Sequence, residues 1–261
     1  MEFSGGDPDL VLDPDFDGDW DLKGRLSGAS NATFLAQVGE RLGVYKPVRG
    51  ERPLGDFPDG TLACREVAAY RLSAAAGYDL VPATVLIDGP FGTGSLQAWV
   101  DPAEEDPVQV VGDGDDLRDR IPVIEAYGRF DEPLWVVHDN SDRLRELALF
   151  DLVANNADRK GGHVLAQARP DGPTRIFGID HGICFHALDK VRTVLWGFAE
   201  EKFSDHHREL LQRSGEVAGE LSELLSITEV IAIEQRVENL LRLGRFPEPV
   251  EDRYPFPWPP L

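Results

Sequence analysis

Two stretches in the second half of the sequence decide the fold: FDLVANNADRKGGHVL at 150–165 and, ten residues further on, IFGIDHGICF at 176–185. In the first stretch a predicted helix gives way to a polar loop at 155–163, which is followed by a short predicted strand. In the second stretch Asp180 stands in an apolar frame at the end of another predicted strand. An ionised carboxylate in such a frame is costly unless it is paired or bound to a metal. The two stretches therefore predict a polar site that contains Asp180 and the loop.

This pattern suits the handling of a phosphorylated ligand. An aspartate, together with an Asn, His or Asp from a preceding loop, can hold Mg²⁺ against nucleotide phosphates, because Mg²⁺ prefers oxygen ligands and few of them. A second carboxylate in the loop, Asp158, can orient or deprotonate an attacking hydroxyl. The alternative is a polar turn in which Arg159 forms a structural salt bridge with an aspartate. The pairing of both stretches with a β-rich region upstream favours the first interpretation.

The first hundred residues contain a lysine that fits this interpretation. Residues 22–48 alternate in polarity and predict a glycine-bent hairpin, and 63–76 predict a helix that ends at Gly77. Two further strands are predicted at 81–88 and 95–100. Lys46 lies on the hairpin and can contact phosphate oxygens, or it can be a charged residue that protects an edge strand. Glu66 can hold Lys46 in position, or it can simply suit the first turn of its helix.

The rest of the chain is organised differently. The fold class predicted is α+β, with a β-rich N-lobe and a mainly helical C-lobe joined at a cleft. An acidic loop or hairpin is predicted at 101–119, and short strands at 163–168 and 174–179. Helices are predicted at 142–154, 209–225 and 228–243. The expected divisions are an acidic flexible leader at 1–21, the N-lobe at 22–101, the C-lobe at 102–245 and a proline-rich tail at 246–261, which is extended and either packed as a strap or free.

Composition excludes several classes of partner. The formal net charge is -21, with 26 Lys+Arg against 47 Asp+Glu, so duplex nucleic acid and anionic membrane surfaces are unfavourable partners. The two cysteines support neither a disulfide framework nor a cysteine-based zinc site. No apolar run is long enough to span a bilayer, and the acidic N-terminus does not resemble a secretory signal. We therefore expect a cytoplasmic protein without stable membrane insertion.

The pattern NNADRKGGH followed by GIDHG resembles the catalytic core of the phosphatidylinositol 3-/4-kinase-like superfamily. That superfamily includes type II phosphatidylinositol 4-kinases and HipA-type serine kinases, and the chain is similar to a bacterial branch of it. The matching positions are Asp151, Asn156, Ala157, Asp158, Arg159, Ile179, Asp180, Gly182 and Phe185. The resemblance covers residues 22–203 and implies a bilobal protein-kinase-like fold that uses ATP with Mg²⁺ or Mn²⁺.

The resemblance also implies roles for individual residues. Asp158 would act on the acceptor hydroxyl, Asp180 would bind the metal, and Lys46, paired with Glu66, would contact the phosphates. The catalytic group would also include Asn156 and Arg159, with Asn156 bracing the loop. A hinge at 97–100 would bind the adenine, and a loop at 27–33 would cover the phosphates. These two segments contribute the remaining implied nucleotide-binding residues, which are Gln97, Trp99, Ser30 and Asn31.

One position departs from the superfamily pattern. Five residues after Asp158 the pattern has an asparagine that binds metal, whereas this chain has His163. A neutral imidazole suits Mn²⁺ or Zn²⁺ better than Mg²⁺. The resemblance thus implies either an altered metal site that includes His163 or the loss of the second metal.

Three functions follow from these observations. The first is an ATP-dependent phosphotransferase that acts on a hydroxyl of a protein or a small molecule. The second is a kinase-fold AMP transferase, and the third is a nucleotide-binding pseudokinase that regulates a partner. The acidic composition argues against a phosphoinositide lipid as the acceptor.

Overall fold

The first part of the chain is built on a five-stranded antiparallel sheet. The computed structural model describes residues 11–28, 30–169, 172–250 and 254–261. The sheet order is β1-β2-β3-β5-β4, and helix α1 lies between β3 and β4 in the chain. The elements are β1 (Trp20–Arg25), β2 (Phe34–Val38), β3 (Arg41–Pro47), α1 (Leu62–Ala76), β4 (Thr84–Gly89) and β5 (Gly92–Ala98). Three strands thus replace the hairpin predicted at 22–48.

Strand β3 lies inside the sheet, with β2 on one side and β5 on the other. Lys46 is paired with Ser95 of β5 in the register, so it is not a residue that protects a sheet edge. Helix α1 ends as predicted, because Gly77 takes the left-handed conformation (φ +84°) that closes a helix without steric cost.

A second antiparallel sheet was not predicted. It has the order β6-β8-β7 and is formed by β6 (Val108–Gly112), β7 (Arg120–Tyr127) and β8 (Pro133–Asp139). The acidic stretch at 101–119 therefore contains a strand. Strand β7 was not predicted from the sequence. Its register is irregular after Pro122, and this breaks the alternation of polarity on which strand prediction depends.

The helices of the second lobe begin at recognisable caps. They are α2 (Asp142–Ala154), α3 (Asp205–Val217) and α4 (Ile227–Leu243), and the hairpin of β9 (Val164–Arg169) and β10 (Gly172–Gly178) follows α2. Helix α2 has the predicted bounds, and α4 has the predicted capping box of Ser226 and Glu229. The prediction of 209–225 was wrong in its bounds. Ser204 and His207 form a capping box that starts α3 four residues earlier, and a 3₁₀ helix, Ala218–Glu223, follows it.

The α+β class, with antiparallel sheets first and helices towards the end, is confirmed, and the bilobal arrangement is kinase-like. The main hydrophobic core includes residues of α1, α2, α3 and α4, such as Leu72, Leu147, Leu211 and Ile233. A smaller core lies under the first sheet around Tyr45. None of the described helices has the length and apolarity needed to cross a membrane.

The expected flexible leader is partly contradicted by the structure. Val11 is buried, and its carbonyl accepts a hydrogen bond from the Ala83 amide at 2.8 Å. The Leu12 carbonyl accepts a bond from the Tyr70 hydroxyl, and β1 already begins at Trp20. The prediction was wrong for residues 11–21, because the apolar residues of this acidic segment are packed. Val11 clusters with Val100 and Phe177, and Phe16 and Trp20 pack on the core around Tyr45. Residues 1–10 lie outside the described part of the chain.

Candidate active site

A cavity of about 840 Å³ lies between the two lobes. Strands β3 and β5 and helix α1 contribute to one side of it, and the 155–163 loop and the residues after β10 contribute to the other. Asn156 and Arg159 do not line it. The other nine site residues predicted from the sequence do: Ser30, Asn31, Lys46, Glu66, Gln97, Trp99, Asp158, His163 and Asp180.

Lys46 joins carboxylates from both lobes. Its Nζ lies 2.5 Å from Oε1 of Glu66 on α1 and 2.8 Å from Oδ1 of Asp180. The second oxygen of Glu66 accepts a bond from the His181 amide at 2.9 Å, so the buried carboxylate is fully engaged. Asp180 itself has φ +60°, a left-handed conformation that a non-glycine residue keeps only when its surroundings impose it. The predicted convergence of these three residues is thus present in the geometry.

These contacts fix the charges of the three groups. Burial opposes the charge of Lys46, but Asp180 and Glu66 outweigh this effect and raise the lysine pKa above its usual value. Lys46 in turn holds the pKa of Asp180 well below the usual range. Burial raises the pKa of Glu66, while Lys46 opposes that shift. The result is a cation in the cavity with an ionised carboxylate beside it.

Asp158 faces the same cavity from the loop. Its amide donates to Oδ1 of Asn156 at 3.0 Å, which fixes the backbone at this point. Burial raises the pKa of Asp158, and the nearby Lys160 opposes the shift. Lys160 Nζ lies 3.1 Å from Asp158 Oδ2 and also lines the cavity. Sequence reasoning missed Lys160, although a lysine two residues after Asp158, in a chain with only five lysines, was an available signal.

His163 lies beside Asp180. Its Nδ1 is 3.1 Å from the Asp158 carbonyl, which can only accept, so Nδ1 carries the hydrogen. Burial, helped by Arg159, Lys160 and Lys46, lowers the pKa of His163 to about 4, so the ring is neutral at pH 7. The lone pair of Nε2 is left 3.4 Å from Asp180 Oδ2. Two acceptors therefore face each other across a gap that a cation would satisfy.

Arg159 contacts the 155–163 loop from the interior of the protein. It is fully buried and donates to Asp151, to the carbonyls of His163 and Ile179, and towards Nε2 of His181 at 2.7 Å. Asn156 also bonds to Asp151 and is likewise buried. Neither Asn156 nor Arg159 lines the cavity, although both were grouped with the catalytic residues. Asn156 instead lies where the resemblance implied a residue that braces the loop, and Arg159 forms the buried salt bridge that was the structural alternative. Their network ties α2 to the loop and to the segment that carries Asp180.

The remaining predicted nucleotide contacts lie around the first lobe. Gln97 directs its side chain away from the hinge backbone, to the Thr84 hydroxyl at 3.0 Å. Trp99 bonds through its indole to Asp101 at 2.8 Å. Asn31 accepts a bond from the Arg52 amide, which anchors the 27–33 loop to the segment before α1. Ala29 of this loop lies outside the described residues, and Ser30 borders the cavity.

The metal-binding groups are few. Among the residues that the structure describes, no group of three His, Cys, Asp or Glu side chains is placed to hold a metal ion. Asp180 and His163 form a pair, and Mg²⁺ or Mn²⁺ in nucleotide sites takes its other ligands from phosphates and water. This donor set fits a metal that is bound together with a phosphorylated ligand.

The elements and the cleft define an α+β protein with a bilobal, kinase-like fold. Within that class the chain belongs to the family of protein Rv2133c from Mycobacterium tuberculosis (strain ATCC 25618 / H37Rv). The two are 41% identical over an alignment of 271 positions, and the alignment covers 93% of this chain and 92% of that protein. No family model matches the sequence. Among solved structures the chain is similar to the Helicobacter pylori proinflammatory kinase CtkA, with 12% identity and a TM-score of 0.46 over 87% of this chain and 93% of that one.

Proposed function

We propose that the protein is an ATP-dependent phosphotransferase that transfers a phosphoryl group to a hydroxyl of a protein or small molecule. The observation that carries this proposal is the position of Lys46, which lies between Glu66 and Asp180 in a cavity that also contains Asp158. Phosphoryl transfer depends mainly on positioning and charge stabilisation, and these residues supply both. We also propose that the protein belongs to the phosphatidylinositol 3-/4-kinase-like superfamily and acts in the cytoplasm.

Several residues that line the cavity have distinct roles in this reaction. The Lys46 ammonium binds phosphate oxygens of ATP, and Glu66 keeps it aimed into the cleft. The Asp158 carboxylate accepts the proton of the acceptor hydroxyl as the hydroxyl attacks the γ-phosphorus and ADP leaves. Lys160 is placed to neutralise charge on the transferred group. The adenine lies against the apolar side chains and backbone of 97–100.

Asp180 and His163 would hold the divalent metal. The Nε2 lone pair of His163 and the Asp180 carboxylate face each other, and the other ring nitrogen of His163 is fixed by the Asp158 carbonyl. Metal-binding histidines usually have their second nitrogen held in this way. When bound, the metal would neutralise charge on the phosphate oxygens. The imidazole favours Mn²⁺ over Mg²⁺, in contrast to the asparagine of the superfamily pattern.

The presence of His163 where the superfamily pattern has asparagine supports a second candidate function, a nucleotide-binding pseudokinase. If His163 weakens the metal site, the cavity would retain ATP through Lys46 but turn it over slowly. Transfer of AMP instead of phosphate would place the α-phosphate at the acceptor. This reaction would leave pyrophosphate, so the products distinguish all three functions.

Calorimetric titration with ATP in the presence of Mn²⁺ tests the nucleotide site. We expect the wild-type chain to bind ATP and Asp180→Ala to lose most of that affinity. Asp116→Ala, which removes an exposed carboxylate from the acidic stretch, is the matched control and should bind as the wild type does. Equal affinities in all three proteins would contradict the proposal.

A further inference from the structure

The proline-rich end of the chain contacts the loop that carries Asp158. The Gly161 amide donates to the carbonyl of Pro260 at 2.8 Å. Gly161 opens the short 3₁₀ turn Gly161–His163, and the first amides of such a turn have no partner within it. An extended proline-rich segment makes no internal hydrogen bonds, so its carbonyls are free to accept. The segment 254–261 thus satisfies a buried amide three residues from Asp158.

Leu261 also packs closely on position 161. A Cβ there would lie 2.5 Å from a terminal methyl of Leu261 and 3.0 Å from Val108 of β6. A side chain at this position would therefore require the Leu261 side chain to move. The loop is held between β6 and the end of the chain.

A second anchor lies at the start of the segment. The Pro255 carbonyl accepts bonds from the Thr193 amide at 3.2 Å and from the Trp196 indole at 2.9 Å. Thr193 forms an isolated parallel bridge with Arg159, the residue that follows Asp158. One anchor thus lies on the Asp158 loop itself, and the other lies on the segment that pairs with this loop at Arg159.

Segment 254–261 packs against the protein on one face and is exposed on the other. Pro257 is buried, while Trp258 remains 79% exposed and contributes no anchor contact. Prolines restrict the backbone before docking, so less conformational entropy is lost when the segment packs. This lowers the free-energy cost of holding the 155–163 loop in one conformation.

We infer that residues 254–261 form a positioning segment, which fixes the Asp158 loop in its catalytic geometry through Gly161 and Thr193. The inference rests on the proposed function for the role of Asp158. It predicts that loosening the segment lowers the rate of transfer more than it weakens nucleotide binding, because the segment does not line the cavity and does not hold Lys46. A segment that only adds stability would leave the rate of the folded protein unchanged.

The test uses full-length variants. Leu261→Asp places a charge against Gly161 and Val108, and Trp196→Phe removes one hydrogen bond while keeping an aromatic ring. Trp258→Ala is the matched control within the same segment. Hydrogen exchange of the Gly161 amide reports docking, exchange of the Phe150 amide in α2 reports global stability, and kcat and the Kd for ATP with Mn²⁺ are measured for each protein.

We expect Leu261→Asp to speed Gly161 exchange and to lower kcat about 10- to 100-fold, because small misplacements of catalytic groups have effects of this size. Trp196→Phe should change Gly161 exchange and kcat in the same direction but less, with Phe150 exchange unchanged and the Kd changed less than kcat. Trp258→Ala should match the wild type. Faster Gly161 exchange with an unchanged kcat, or no change in either variant, would overturn the inference. Failure of the proposed function has a different signature, since turnover of ATP would then be missing from the wild type as well, whether or not ATP binds.

Discussion

The ammonium of Lys46 and the carboxylate of Asp180 lie 2.8 Å apart across the cleft, although 134 positions separate them in the sequence. This pair joins the sheet of the first lobe to the segment after β10. Asp180 is half exposed at its side chain, whereas the other partner of Lys46, Glu66, is almost fully buried. Glu66 therefore holds the lysine, while Asp180 remains accessible to a ligand.

Lys46→Met should weaken ATP binding. A hydrogen bond to a charged group is worth about 1.5–3 kcal/mol, so we expect a loss of affinity of roughly 10- to 100-fold. Lys23→Met, on β1, removes a lysine that pairs with the exposed Asp21 and serves as the control. Calorimetry of ATP binding compares the two. Equal affinity of both variants would show that Lys46 does not contact the nucleotide.

The pH dependence of kcat should reveal Asp158. The carboxylate must be ionised to accept a proton, so activity falls as the pH drops through its pKa. Burial raises that pKa above 3.8, so the fall in kcat on the acidic side of the pH profile, its acid limb, moves to higher pH. Lys160 opposes the shift, so Lys160→Met should move the limb to still higher pH. A limb that stays in place or moves down in this variant would be inconsistent with Asp158 as the base.

His163 should determine which metal supports turnover. Wild-type activity is expected to be higher with Mn²⁺ than with Mg²⁺, because the imidazole nitrogen is the softer ligand. His163→Asn restores an oxygen ligand and should raise the activity with Mg²⁺ relative to Mn²⁺. His206→Asn, an exposed histidine on α3, controls for the substitution. An unchanged ratio of the two activities in His163→Asn would exclude His163 as a ligand.

Arg159→Met should destabilise the fold strongly. It leaves Asp151 buried without its partner, and breaking a buried pair from one side costs about 3–5 kcal/mol. Arg71→Met removes an exposed partner of Glu223 and should cost at most about 1 kcal/mol. Denaturant unfolding measures both free energies. Similar losses in the two variants would contradict the bracing role of Arg159.

Local signals predicted much of the fold correctly. Helices α2 and α4 were found because Ser141, Ser226 and Gly244 mark their ends through contacts within a few residues. The resemblance supplied the convergence of Lys46, Glu66 and Asp180, which no periodicity encodes. The order of the elements along the chain suggested two lobes, and the resemblance supplied the kinase-like class.

Features set by tertiary contacts were not predictable. The sheet of β6, β7 and β8 lacks clear alternation, and the packing of Val11 depends on residues distant in sequence. Arg159 was grouped with the catalytic residues through the resemblance, yet its side chain is buried and pairs with Asp151, as in the structural alternative. The sequence left the proline-rich tail either packed or free, and only the structure places Pro260 on Gly161.

The products formed from ATP provide the most direct test of the proposed reaction. Wild-type protein and Asp158→Asn are incubated with ATP and Mn²⁺, where water or a hydroxyl of the protein itself takes the phosphoryl group, and ADP, AMP and pyrophosphate are separated and measured. We expect ADP from the wild type, and about 10²- to 10⁴-fold less from Asp158→Asn, since general-base catalysis contributes factors of this size. Pyrophosphate in place of ADP would indicate AMP transfer. Bound but unconsumed ATP, or equal ADP from both proteins, would contradict phosphoryl transfer at Asp158.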